Sequence, residues 1–412
     1  MRHVVVMVTT SYPRFPGDSV GTFMEPIAKR VAALGHEVHV VAPWHPLITR
    51  GKVEDGVFFH FFEYAPLPAL NVFGYAAGLR ADVRLKGAAW LSAPLALTAG
   101  WFKALRVAQK KRATVMHGHW VVPGGVIAAA ARPALPLVVS LHGSDVFVAE
   151  RTAVARAAAR RVFARAGLVT ACSQDLADRA IAIGAAADRM TVVPYGVDVS
   201  RFKPAPEARA SLRASLGIPL DAPVLFTAGR LVRKKGFEYL IDALPRVASA
   251  TPARLAIAGS GDLAEELDAR ARGAGVADRV HFLGNLPQDA VGAWFAAADV
   301  AVVPSVRDDS GNVDGLPNTV LEALASGTPL VTTPAGGIGS VIENGRTGVI
   351  VAERDAAALA DAITALLRDP IRRAVLGRDG RALVEQRFGW DAAAARFVTA
   401  YDRALAFKSL TR

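Results

Sequence analysis

The chain has 412 residues, 52% hydrophobic and 21% charged, which sets aside a disordered polymer and leaves room for two cores of ordinary size. Its one cysteine, Cys172, excludes an internal disulfide framework and fits a reducing compartment. The net charge of +11 is uneven: residues 1–198 carry 22 Lys+Arg against 13 Asp+Glu, a net of +9, and residues 199–412 a net of +2, so the N-terminal half suggests an anionic partner, be it a phosphate-bearing substrate, a membrane surface or a nucleic acid.

The opening run, His3–Val8, reads as a buried first strand and not as a cleaved signal, and a cytoplasmic location is expected. A loop with Pro13, Pro16, Gly17 and Gly21 follows. Thr22 and Glu25 then read as a capping box opening a helix to about Leu34. Further apolar runs follow at Glu37–Val41, Thr114–His117, Leu137–Leu141, Leu168–Ala171 and Thr191–Val193. A second series occupies Val224–Ala228, Arg254–Ala258, Val280–Leu283, Val300–Val303, Leu330–Thr332 and Val349–Val351. These runs are continuously apolar, as strands covered by helices on both faces are, and they alternate with amphipathic stretches. Parallel sheets with right-handed crossovers follow from that alternation. The Pro-containing stretch Arg201–Pro223 separates the two series, so the predicted domains are 1–198 and 199–387, with a last helical stretch in 388–412. The longest uncharged run, Gly87–Phe102, holds Pro94 and reads as a buried or interfacial segment, not as a membrane span.

The strongest site signal follows the strand Val300–Val303. A polar loop with Asp308, Asp309 and Asp314 leads to Pro317, and a helix is predicted over Asn318–Ala325. The amides of Gly315, Leu316, Pro317's successor Asn318 and Thr319 would form a helix-start anion or hydroxyl site beyond the strand ends. Asp314 and Glu322, eight positions apart, could both accept hydrogen bonds from a polyol. A second signal is Gly229-Arg230 followed by Lys234-Lys235-Gly236 after the strand Val224–Ala228. There Arg230 and Lys235 could neutralise a diphosphate. In the N-terminal half, His142-Gly143-Ser144-Asp145 and His117-Gly118-His119-Trp120 stand at strand ends, with His142 aimed at substrate. His117 and His119 could share a face and admit zinc, but no cysteine lies nearby and no third ligand is placed.

Taken together these residues resemble glycosyltransferase family 4, of the GT-B fold. The resemblance spans nearly the whole chain. It is carried by Gly229-Arg230-Leu231 with Lys235-Gly236, by Ala258-Gly259-Ser260-Gly261, by Phe282-Leu283-Gly284 and, most specifically, by Asp314 to Ala323 followed by Gly327-Thr328-Pro329. Pro194-Tyr195-Gly196-Val197-Asp198 resembles the interdomain segment, and Phe388 and Trp390 the start of a last helix that crosses back to the first domain.

The resemblance implies two Rossmann-like, doubly wound domains facing across a cleft, the first binding the acceptor and the second the nucleotide sugar. It implies retaining transfer of a hexose-type sugar from a nucleoside-diphosphate sugar, with no cofactor and no essential metal. Arg230 and Lys235 match diphosphate ligands, Glu322 the ribose carboxylate, and Asp314 with Gly315 to Asn318 the contacts to the donor sugar. Gly259, Leu283 and Thr319 fall in the donor-side motifs. His142 matches a histidine near the sugar's 6-position, and Gly21 a loop near the phosphates. His119, Trp120 and Asp145 are assigned to the acceptor side, Asp145 as an alternative base. Three positions depart from the family pattern: Asp314 stands where Glu is more usual, Tyr195 where Asn is common, and the first loop lacks paired glycines.

The expected acceptor is a glycan or lipid-linked sugar in cell-envelope or exopolysaccharide synthesis. Lys103, Arg106, Lys110, Lys111 and Arg112, and Arg151, Arg156, Arg160, Arg161 and Arg165, together with Trp90, Trp101 and Phe102, could dock the chain on the inner face of an anionic membrane. The rival readings are a sugar-nucleotide 2-epimerase of the same architecture and, in a different class, a basic nucleic-acid- or membrane-binding protein. No nucleic-acid recognition module supports the former of these last two. A dinucleotide oxidoreductase is disfavoured because the turn from Thr9 to Thr22 lacks the G-x-G-x-x-G spacing.

Overall fold

The apolar β-branched runs become strands of two parallel sheets, each in its own unit. The computed structural model describes residues 1–410 except 19, 66–70, 72–73, 76–78, 81–83 and 86, and without the side chains of 79–80, 84–85, 87–91 and 410. The first unit comprises Met1–Tyr195 and Trp390–Arg412, the second Gly196–Gly389.

In the first unit the strands are β1 (Val4–Val8), β2 (Glu37–Pro43), β3 (Val53–Glu54), β4 (Val57–Phe62), β5 (Leu79–Arg80), β6 (Arg84–Leu85), β7 (Val115–His119), β8 (Leu137–Leu141), β9 (Leu168–Ala171) and β10 (Met190–Val192). Eight of them form a sheet in the order β10-β9-β8-β7-β1-β2-β4-β3, parallel except for β3 against β4. From β1 the chain builds outward to β2 on one side and later to β7 on the other. The carboxyl ends of β1 and β7 therefore flank a topological switch point, the usual ligand site of such sheets.

In the second unit the strands are β11 (Val224–Ala228), β12 (Arg254–Ala258), β13 (Val280–Gly284), β14 (Val300–Val303), β15 (Leu330–Thr332) and β16 (Val349–Ile350), ordered β13-β12-β11-β14-β15-β16 and all parallel. Here the order reverses between β11 and β14. The two loops with the strongest sequence signals leave the ends of those two strands.

Several expectations need correction. The Pro-containing stretch Arg201–Pro223 is part of the second unit. Its helix Ala208–Ser215 buries Arg213, whose guanidinium donates to Asp299 (2.7 Å), and Asp299 also accepts the Val224 amide (2.8 Å). That pair fastens the stretch to the start of β11. The helix Met24–Ala33 has no side-chain cap, and Glu25 is drawn instead to Lys29 (2.8 Å) and Arg50 (3.0 Å). The aromatic run Val57–Phe62 is a strand that continuous-apolar reasoning passed over, with two histidines and four phenylalanines on or beside its faces. The last helix, Trp390–Leu410, places Ala394, Phe397, Ala400, Tyr401 and Ala404 in the core of the first unit.

Gly87–Phe102 lies in a helix, Gly87–Lys110. No helix among the described residues is long and apolar enough to cross a membrane. Ala96, Ala104, Val107 and Ala108 face the core, while Leu95 (56%), Trp101 (37%) and Phe102 (50%) stay exposed on the outer side. The side chain of Trp90 lies outside the described residues.

Candidate active site

In the second unit, three loops at the carboxyl ends of β11, β12 and β13 are laced together by backbone bonds. Gly229 N donates to Ala258 O (2.9 Å), Leu231 N to Ser260 O (2.9 Å) and Gly259 N to Gly284 O (2.7 Å). Gly259 has a φ of +135°, and a Cβ there would lie 1.9 Å from the Gly229 carbonyl oxygen, so only glycine permits this approach. Leu283 is half-buried on β13, the edge strand, just before Gly284.

Arg230 is exposed directly after this lacing. A single turn, Arg233–Lys235, follows, and then left-handed Gly236 opens the helix Phe237–Ala250. The stem of Lys235 lies across Gly229, whose Cβ would sit 3.3 Å from Lys235 Cε. Its Nζ reaches Asp314 Oδ2 at 2.6 Å, while Nζ of neighbouring Lys234 reaches Asp314 Oδ1 at 3.0 Å. Burial raises the Asp314 pKa, but the two ammonium groups outweigh it and hold the carboxyl well below the usual range.

The helix Asn318–Ala325 has the predicted bounds and starts four residues after Asp314, with Pro317 (φ −65°) at its N-cap position and no side-chain cap. Gly315, Leu316 and Pro317 are buried beneath it. The buried oxygens Asn318 Oδ1 and Thr319 Oγ1 have no hydrogen-bond partner among the described residues. Unsatisfied buried groups at a helix start are rare in stable cores and common where a ligand supplies the partner.

Glu322 stands in the second turn of this helix, partly accessible; its carbonyl accepts from the Ser326 amide (3.0 Å) and hydroxyl (2.9 Å). Burial pushes its pKa up to about 7, against the opposing charges of Lys235 and Arg201. The structure thus brings Asp314, Lys235 and the start of the Asn318 helix together and sets Glu322 one turn further along it. Lys234 is the member that sequence reasoning passed over. The adjacent lysine pair was the available signal, but the sequence does not say that both side chains turn to one carboxylate.

In the first unit, a layer of neutral imidazoles and aromatic rings covers the ends of β7 and β8. His117 bonds Tyr401 OH (2.9 Å) and Ser140 Oγ (2.7 Å) through its two ring nitrogens. His119 Nδ1 lies 3.2 Å from His142 Nε2, and His142 Nδ1 lies 2.7 Å from Tyr195 OH. Burial drives the pKa values of His117 and His142 down to about 3, and that of His119 well below its usual value. Trp120, held at φ +62°, packs 4.6 Å from His142, and Phe23 packs 4.7 Å from it. Gly21, at φ +66°, lies against Ser11 and accepts the Met24 amide (2.9 Å) just before Phe23.

Several sequence expectations change here. Both nitrogens of His142 are engaged, so it meets a sugar only by exchanging Tyr195 or His119. His119 is fully buried, with Nδ1 against His142. Asp145 is buried, and its oxygens accept the amides of Val121 (2.8 Å), Gly143 (3.0 Å) and His142 (3.2 Å), so it braces two loops and is not poised as a base. Both ring nitrogens of His117 are engaged, and among the described residues there is no group of three or more His, Cys, Asp or Glu side chains placed to hold a metal. Of the second basic cluster, Arg156, Arg160 and Arg165 donate to backbone carbonyls, such as Ala149 O, Ile183 O and Ala129 O, and so act as struts.

Comparison with known proteins bears on this geometry. Residues 20–201 match a family model described as Glycosyltransferase Family 4, and residues 222–369 one described as Glycosyl transferases group 1. The chain is 38% identical over 63% of its length to a GDP-mannose-dependent alpha-(1-6)-phosphatidylinositol monomannoside mannosyltransferase of Mycolicibacterium smegmatis, covering 68% of that protein. It is 32% identical over 98% of its length to a D-inositol 3-phosphate glycosyltransferase of Acidothermus cellulolyticus, covering 91% of it. In fold it is similar to a sucrose-phosphate synthase of Thermosynechococcus elongatus, with a TM-score of 0.79, 21% identity, and 98% and 100% of the two chains covered. The two units have the architecture of GT-B enzymes.

The raised pKa of Glu322 makes a stability prediction with a definite sign. The folded state binds a proton there that the unfolded chain releases, so stability is fully present below the ordinary glutamate pKa and is lost as pH rises to about 7. Glu322→Gln therefore raises the melting temperature at pH 8, and the gain vanishes near pH 4.5. A gain that is equal at both pH values would contradict the assignment.

Proposed function

This chain belongs to glycosyltransferase family 4, and we propose from that premise that it transfers a hexose from a nucleoside-diphosphate sugar, with retention, to a phosphate-bearing glycan or lipid-linked acceptor. It is a glycosyltransferase, and the observation that carries the finer reading is the meeting of Lys234 and Lys235 on Asp314 beside a helix start that carries Glu322, at the switch point of the second unit.

The reaction breaks the bond between the sugar and the outer phosphate, and charge gathers on that phosphate. Fixed cations stabilise the charge more in the transition state than in the ground state. Arg230 and Lys235 take this role, with the amides of the Asn318 helix and the hydroxyl of Thr319 as donors. Glu322 accepts from the ribose hydroxyls, and Asp314 from the hexose. The positive charge that a divalent ion supplies elsewhere comes here from the side chains.

Retention then proceeds by same-face attack through an oxocarbenium-like state, the departing phosphate taking the acceptor's proton. The engagement of Asp145 by three amides supports this route, since that carboxylate is not held ready as a base.

The acceptor side rests on the first unit. Two relatives act, by name, on phosphatidylinositol monomannoside and on D-inositol 3-phosphate, both of which carry phosphate. The excess basic charge of residues 1–198 supports an acceptor of that kind. A role in cell-envelope synthesis fits it. The exposed face of the helix Gly87–Lys110 supports peripheral docking on an anionic bilayer: Leu95, Trp101 and Phe102 are apolar and exposed, Arg106 lies over the Phe102 ring at 5.0 Å, and Lys110 and Arg112 continue the exposed face.

Replacing Arg230 or Lys235 by Ala should lower turnover by roughly a hundredfold each, as loss of a fixed electrostatic donor does elsewhere. Transfer by the native chain should persist in excess chelator. Near-normal turnover in both variants would end the assignment. In flotation assays the chain should rise with vesicles containing anionic lipid and not with neutral ones, and Trp101→Ser with Phe102→Ser should abolish this. Equal flotation on neutral vesicles, or none on either, would contradict docking.

A further inference from the structure

Two lysines serve one carboxylate in the second unit, and the proposed function requires only one of them at the phosphate. Asp314 Oδ2 is held by Lys235 at 2.6 Å and Oδ1 by Lys234 at 3.0 Å. When Lys235 engages a diphosphate, its ammonium must leave or share Asp314. A buried carboxylate stripped of its cation is costly, so without a second partner that exchange would oppose donor binding.

Lys234 is built to stay behind. It is only 7% exposed, whereas the stem of Lys235 lies over Gly229 beside exposed Arg230. The Lys234 carbonyl accepts the Val306 amide at 2.9 Å, which ties its turn to the beginning of the loop that Asp314 ends. One residue therefore pins both ends of the segment from Val306 to Asp314, by its backbone at the first and its ammonium at the second. Val306 is itself 2% exposed, so the anchor sits in packed core.

We infer that Lys234 is a positioning residue that keeps Asp314 charged and in place while Lys235 passes from that carboxylate to the donor's diphosphate. The inference rests on the proposed use of a nucleoside-diphosphate sugar. Lys234 touches no phosphate in this scheme; it acts through Asp314.

Calorimetric titration of the full chain with GDP and with UDP tests it. Lys234→Met should lose about tenfold or more in affinity for the diphosphate that the native chain binds, because Asp314 is then stranded when Lys235 moves. Lys234→Arg, which keeps the charge, should stay within about threefold of native. The discriminating pair is K234M/D314N, which has no carboxylate to strand and should bind within about threefold of D314N alone, since two sites that act through one contact are not additive. K235M/D314N should show no such recovery.

Native-like affinity in K234M overturns the inference. So does K234M/D314N binding far more weakly than D314N, which would make Lys234 a direct phosphate ligand. If K234M does not fold, the comparison of K234M/D314N with D314N still decides. A native chain that binds neither diphosphate overturns the proposed function and this inference with it.

Discussion

A buried carboxylate shared between two adjacent ammonium groups is the interaction on which the second unit's site depends. Burial disfavours the charged form of Asp314, and Lys234 and Lys235 more than offset it, one at each oxygen. The arrangement keeps a concentrated positive charge folded and ready in the absence of a ligand. It stands where the strand order reverses between β11 and β14, so the fold delivers both loops to one place. The close backbone approach at Gly259 then sets how near the β12 end can come to Arg230 and Lys235.

The first unit follows the opposite electrostatic rule. Its site layer is neutral: His117, His119 and His142 are too deeply buried to hold a proton at ordinary pH, and all their ring nitrogens except the buried His119 Nε2 are spent on one another and on hydroxyls. Such a layer offers shape and ring faces, with charge kept to the outer helices. Tyr195 belongs to this layer by its bond to His142 and its stacking 4.9 Å from Phe23. It is also the last residue before the chain enters the second unit, so this departure from the family pattern falls on a side chain held by both His142 and Phe23.

Much of the fold was legible because continuous β-branched runs have few alternatives. Leu137–Leu141, Leu168–Ala171, Val224–Ala228, Arg254–Ala258, Val300–Val303 and Leu330–Thr332 are strands with the predicted bounds, as is the helix Asn318–Ala325. Local pattern failed where a tertiary partner claimed a residue. Glu25 looked like half of a capping box until Lys29 and Arg50 were beside it, and Asp299 draws Arg213 into the core from a stretch whose prolines hid its helix. The same holds at the sites. Strand-end position put Asp145 and His119 in the right neighbourhood, but only coordinates reveal that amides and a second imidazole already occupy them. Arg156, Arg160 and Arg165 read as a basic patch because sequence counts charges and cannot see the carbonyls they serve.

The central claim is that side chains and helix-end amides of the second unit grip a pyrophosphate. Thermal unfolding of the intact chain in chelator, against a panel of nucleoside mono- and diphosphates, tests it most directly, because a ligand that binds only the folded state raises its stability. The account predicts that at least one diphosphate raises the melting temperature well above the shift given by its monophosphate. Equal shifts from the two, or none from any diphosphate, would contradict it.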